Sequence, residues 1–90
     1  MKKQLHLIYS GRVQGIGFRY TVADRAKQQG LVGWVRNLDD LRVEIVAEAK
    51  EDALNRFLQD VNQHFSGYIS EVKTEWLPAA GQFRDFQIVF

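Results

Sequence analysis

Ninety residues with 46% hydrophobic side chains suit a single domain, residues 1–90, that buries about 60 to 70% of the surface its unfolded chain exposes. The formal net charge is only +1 and cysteine is absent. Disulfides, thiolate metal sites and a cysteine nucleophile are thereby excluded, and the cytoplasm is the default compartment. No stretch approaches the ~20 apolar residues of a membrane span, and the apolar run after Met1-Lys2-Lys3 is too short for a signal peptide, so a soluble protein is expected.

Leu5, Leu7 and Tyr9 alternate with His6, Ile8 and Ser10, which predicts a central strand with apolar character on both faces. The next run, Gly11-Arg12-Val13-Gln14-Gly15-Ile16-Gly17-Phe18-Arg19, sets three glycines and two arginines between this strand and a helix. Glycine reaches positive φ, so such a loop can curl until successive N–H groups converge on one point. A helix starting near Phe18 adds unpaired N–H groups and the positive end of its dipole. The amides of Gly15, Ile16, Gly17, Phe18 and Arg19 then form a cradle for an oxyanion, with the planar fork of Arg19 at its mouth. The spacing G-x-x-x-G-x-G matches neither the dinucleotide fingerprint nor the P-loop, and by itself it also suits a plain tight turn.

Phe18, Val22 and Ala26 recur at helical spacing, and Gly30 can end the helix, which predicts Phe18 to Gln29 as helical. Leu31 to Asn37 reads as a strand, Leu38-Asp39-Asp40 as a turn, and Leu41 to Glu48 as the returning strand with Val43, Ile45 and Ala47 on one face. Leu54, Phe57, Leu58, Val61 and Phe65 make an amphipathic helix, with Glu51 and Asp52 suited to its N-terminal dipole. Tyr68, Val72 and Trp76 mark a fourth strand with Glu71, Lys73 and Glu75 toward solvent, and Phe86, Ile88 and Phe90 a short last one. Order βαββαβ plus a short C-terminal strand is the split βαβ plan: an α+β, ferredoxin-like sandwich with two helices on one face of an antiparallel sheet. Right-handed crossovers place the first strand in the middle, beside the third, and bring Arg19 and Asn37 toward one edge.

Charge is segregated along the chain. Residues 11–36 hold Arg12, Arg19, Arg25, Lys27 and Arg36 against the single acid Asp24, whereas residues 39–75 hold nine acids against four bases. The cradle segment therefore carries a field that draws in small anions.

Read together, Gly11-Arg12-Val13-Gln14-Gly15 with Phe18-Arg19, then Gly30-Leu31, Gly33-Trp34-Val35-Arg36-Asn37, Val43-Glu44 and Ala47-Glu48 resemble the signature motifs of the acylphosphatase family. The resemblance implies hydrolysis of the carboxyl-phosphate bond of small acyl phosphates, giving a carboxylate and inorganic phosphate, the latter a product and inhibitor. It implies that Arg19 binds the phosphoryl oxygens and that Asn37 orients the attacking water. An amide takes up no proton at neutral pH, so Asn37 would act by placement alone.

Leu41 stands where family members commonly carry glycine, and Phe65-Ser66-Gly67 where they carry Gly-Pro; both leave the site positions intact. His6 and His64 lie far apart in sequence without carboxylates at ligand spacing, and neither a metal nor an organic cofactor is indicated. A nucleic acid partner is disfavoured because Leu41 to Glu48 lacks the aromatics of an RNA-binding third strand. A monomer without membrane partners is the default. The alternative is a non-catalytic small-anion binding or regulatory module of the same fold.

Overall fold

The computed structural model describes residues 1–90. Its elements are β1 (Lys2–Gly11), α1 (Phe18–Gln28), β2 (Val32–Asn37), β3 (Val43–Lys50), α2 (Glu51–His64), β4 (Ile69–Pro78) and β5 (Phe86–Val89). The sheet order is β4-β1-β3-β2-β5, so β1 lies centrally between β3 and β4 as the crossover rule requires. Leu5, Leu7 and Tyr9 turn from β1 into the core, where they meet Val43, Ile45 and Ala47 of β3, Leu54, Phe57 and Val61 of α2, and Val22 and Ala26 of α1. No helix is long and apolar enough to cross a membrane.

The fifth strand corrects the expectation of an antiparallel sheet. Pairings β1–β3, β1–β4 and β2–β3 are antiparallel, but β2–β5 is parallel. The cause is the route of the chain. β4 ends at Pro78, opposite Lys3 at the start of β1, while β5 begins with Phe86 opposite Gly33 near the start of β2. A connection that leaves and re-enters at the same end of the sheet launches β5 in the direction of β2.

That connection crosses the width of the sheet, and one side chain holds it down. Glu48 of β3 points to the face opposite the helices yet is only 3% exposed, because residues of the crossing lie over it. Its carboxylate accepts from the Ala80 N–H at 2.6 Å, the Gly81 N–H at 3.1 Å and Gln4 Nε2 at 2.8 Å. Burial pushes the Glu48 pKa up, but these three donors outweigh it and hold the carboxyl below the ordinary glutamate range. The crossing then docks where Gly33 N–H donates to Asp85 O at 2.8 Å. Gly33 is required by space: a Cβ there would run into the Val46 carbonyl of the neighbouring strand.

Tyr68 and Trp76 do not mark a buried face. They are 43% and 39% exposed, because α1 packs over β2 and β5 and α2 over β3 and β1, leaving most of the edge strand β4 uncovered apart from Ile69 and Val72, which pack on the core. The returning strand also starts later than its sequence suggests, at Val43, because Leu41 belongs to the turn. Leu41 has φ +75°, the left-handed region, and is the only residue other than glycine with positive φ. Its N–H donates to Leu38 O at 3.2 Å, while Asp40 accepts from the Arg42 N–H and side chain.

Two outcomes follow for stability. Leu41 is 68% exposed, so Leu41→Gly removes the left-handed strain without emptying a core site. Offset by the entropy of the unfolded glycine, the gain is about 0.5 to 1 kcal/mol, read as a rise of several degrees in Tm; an unchanged or lower Tm would contradict it. Glu48→Gln weakens the charged hydrogen bonds and costs about 1 to 2 kcal/mol at neutral pH. Because the folded pKa lies below the ordinary 4.5, this stability is present above pH 4.5 and is lost as the pH falls through the folded value. Urea titrations of both proteins should therefore diverge at pH 7 and converge in acid.

Candidate active site

The site is built where β1 hands the chain to α1. Beyond Gly11 the Arg12 N–H donates to Tyr68 O at 2.8 Å, and fully buried Val13 pulls the loop back onto the core. Phe18 is buried in contact with Tyr9 (ring centroids 5.2 Å apart) and Phe65 (4.5 Å), which fixes the first residue of α1. Between these anchors Gly15 and Gly17 adopt φ of +79° and +78° with open space on the Cβ side, so glycine is needed here for the backbone angle alone.

The result is a turn whose amides are left free. The N–H groups of Gly15, Ile16, Gly17, Phe18 and Arg19 donate to no acceptor within the chain, and no side chain caps α1. The first turn of α1 has no acidic residue and carries Arg19 instead, a cation at the positive end of the helix dipole. Arg19 forms no ion pair; its guanidinium lies 4.9 Å from the centroid of the Phe90 ring. Such an arrangement is unfavourable in itself and becomes favourable around an anion.

Asn37, the last residue of β2, projects to the helix-covered face opposite buried Val43. Its Oδ1 is buried and is the one buried side-chain polar atom of the chain without a hydrogen-bond partner. Asn37 and Arg19 line the same cleft of about 180 Å³, together with Val13, Gln14, Gly15, Gly17, Phe18 and Tyr20. The fold thus brings together every sequence-predicted site residue except the side chain of Ile16. That side chain packs on the core and lines the neighbouring groove with Arg12 and Leu41, leaving only its amide at the loop. Arg36, next to Asn37, points to the opposite face, where it donates to Glu44 at 2.8 Å and stacks on Trp34.

Three side-chain contributions carry no signal in the sequence. Tyr20 follows Arg19 on α1 and is 61% exposed at the cleft. Phe90 reaches Arg19 only because the crossing lays β5 beside β2, a long-range consequence without a local signal. The Gln14 side chain donates to the Leu38 and Arg42 carbonyls, partners that lie 24 and 28 residues away.

The lining holds no carboxylate, imidazole or thiol, and nowhere do three or more His, Cys, Asp or Glu side chains group as a metal site. What it offers is a set of unpaired N–H donors, one guanidinium and one carboxamide with a spare acceptor. That set can bind a tetrahedral oxyanion and hold a water beside it.

Sequence and structure comparisons identify the relatives of this chain. The family model for acylphosphatase matches residues 5–88. An acylphosphatase of Caldanaerobacter subterraneus is 37% identical over 98% of this chain and 99% of its own, and that of Bacillus subtilis is 45% identical over 97% of each. The crystal structure of acylphosphatase from Bacillus subtilis superposes with a TM-score of 0.90 at 40% identity, covering 98% of this chain and 99% of that one. Loop, cleft, fold and sequence all lead to the same conclusion: the chain belongs to the acylphosphatase family.

Proposed function

We propose that this enzyme hydrolyses small acyl phosphates by phosphate cradling and water placement, with Arg19 and Asn37 as its catalytic residues. The phosphoryl group sits in the loop, its oxygens accepting from the amides of Gly15, Ile16, Gly17, Phe18 and Arg19 and from the Arg19 fork. As charge builds on those oxygens in the transition state, the same donors stabilise it without reorganising. Asn37 Oδ1 accepts a hydrogen bond from the nucleophilic water and aims its lone pair at phosphorus. The P–O bond to the acyl group breaks and the carboxylate leaves with the bonding pair. The water's proton passes to a phosphoryl oxygen, so no side-chain base is needed.

The observation that carries this reading is the orphaned Asn37 Oδ1, buried in the cleft that Arg19 lines. A buried carbonyl oxygen without a donor costs about 1 to 3 kcal/mol, and water hydrogen-bonded to Asn37 would remove that cost. Inorganic phosphate, as product, competes for the same donors. The enzyme works without cofactor or metal as a cytoplasmic monomer on a diffusible anion, with no nucleic acid or membrane partner. Glu71, Lys73 and Glu75 along the β4 edge oppose pairing with a second copy.

Benzoyl phosphate hydrolysis in chelator-containing buffer, with inorganic phosphate as inhibitor and circular dichroism as a check on folding, tests the assignment. The wild type should turn over. Arg19→Ala should lose about 10³-fold or more in kcat/KM, as for an arginine that stabilises phosphoryl charge, and lose phosphate inhibition. Asn37→Ala should lose about 10² to 10³-fold in kcat, the effect of one misplaced transition-state contact, and keep its phosphate Ki. A folded wild type that binds phosphate without turnover would instead favour a small-anion binding module.

A further inference from the structure

The two halves of the site sit on different elements, the donors on the loop before α1 and Asn37 at the end of β2, with no hydrogen bond between them. An in-line attack tolerates little error in their separation. One side chain spans the gap. Gln14 Nε2 donates to Leu38 O at 2.9 Å and to Arg42 O at 3.0 Å, so both hydrogens of its carboxamide are used. Arg42 O also accepts from the Leu38 N–H at 2.8 Å, the bond that closes the hairpin between β2 and β3. Gln14 adjoins Gly15 in the cradle loop, and Leu38 adjoins Asn37.

Resting on the assignment of Arg19 and Asn37 above, we propose that Gln14 is a positioning residue whose carboxamide fixes the distance between the phosphoryl-binding loop and the water-orienting Asn37. The chemistry demands this residue type. Two acceptors must be bridged by one neutral group of this reach: a glutamate would set a carboxylate against two carbonyls, a serine falls short, and a lysine adds charge beside the cradle. The loop's own amides and Arg19 do not depend on the bridge. Loss of Gln14 therefore uncouples water from phosphorus while phosphate binding persists.

The test compares Gln14→Met, Gln14→Glu, Asn37→Ala and the Gln14→Met/Asn37→Ala double variant with wild type, using kcat and KM for benzoyl phosphate, Ki for inorganic phosphate, and Tm. Both Gln14 variants should lose about 10 to 100-fold in kcat, the scale of a small misplacement of reacting groups, with phosphate Ki changed less than about threefold. In the Asn37→Ala background the Gln14→Met change should cost less than about twofold, because a residue that acts through another has nothing left to position. A fall in Tm with unchanged kcat would overturn the proposal in favour of a purely structural clamp. So would a phosphate Ki that rises in step with the loss of kcat, or full additivity in the double variant. If Asn37→Ala alone kept the wild-type rate, the underlying site assignment would fall, and this proposal with it; loss in Asn37→Ala with fully active Gln14 variants would overturn this proposal alone.

Discussion

Burial of Phe18 against Tyr9 and Phe65 is the contact on which the site depends. It fixes where α1 begins, so the chain between fully buried Val13 and Phe18 must close a short gap, and it does so through left-handed glycines at positions 15 and 17. Once that path is taken, the amides along it have no partner in the protein. Arg19 follows on the next helical residue, so its position is inherited from the buried ring before it. A core interaction, with no functional group of its own, thereby sets the geometry of an anion site.

The site breaks several local rules at once, which is how function departs from folding consistency. A helix start without an acid or a cap, an arginine against the dipole and an orphaned buried Asn37 oxygen are each destabilising in the free protein. They are held in place by ordinary structure elsewhere. Glu48 pins the crossing that delivers β5, β5 puts Phe86 into the core, and Phe90 just beyond its end rests on the Arg19 guanidinium. An acid at the far end of the sheet thus supports the aromatic contact of a phosphate-binding arginine without touching it.

Much of this was legible in sequence. Alternation in residues 5–10 and 43–48, helical spacing from Phe18 and Leu54, and the glycine run led to the element order and the central place of β1, because each reports a local periodicity. The convergence of Arg19 and Asn37 followed from crossover handedness. What was not legible depends on long-range pairing. The parallel β2–β5 edge, the exposure of Trp76 and the reach of Phe90 arise from which strand lies at an edge, a property of the assembled sheet. Leu41 shows the reverse case: its departure from the family's glycine was visible, and the fold answers it by forcing a leucine into left-handed backbone. Gln14 sat in plain view within the motif, but a side-chain amide announces no partner until the hairpin comes beside it.

The segregated charge acquires its meaning only in three dimensions. The basic segment does not simply oppose the acidic one. Arg25 is taken up by Asp60 at 2.5 Å and Arg36 by Glu44 at 2.8 Å, both on faces away from the cleft. Arg12 and Arg19, the arginines of the cradle loop itself, have no carboxylate partner and lie against the aromatic rings of Tyr68 and Phe90. A ring face steadies a guanidinium while leaving its N–H edge free to donate. Acids of the second segment thus take up two arginines of the first, while the two arginines of the cradle loop stay without a carboxylate beside amides that can complete the binding of an anion.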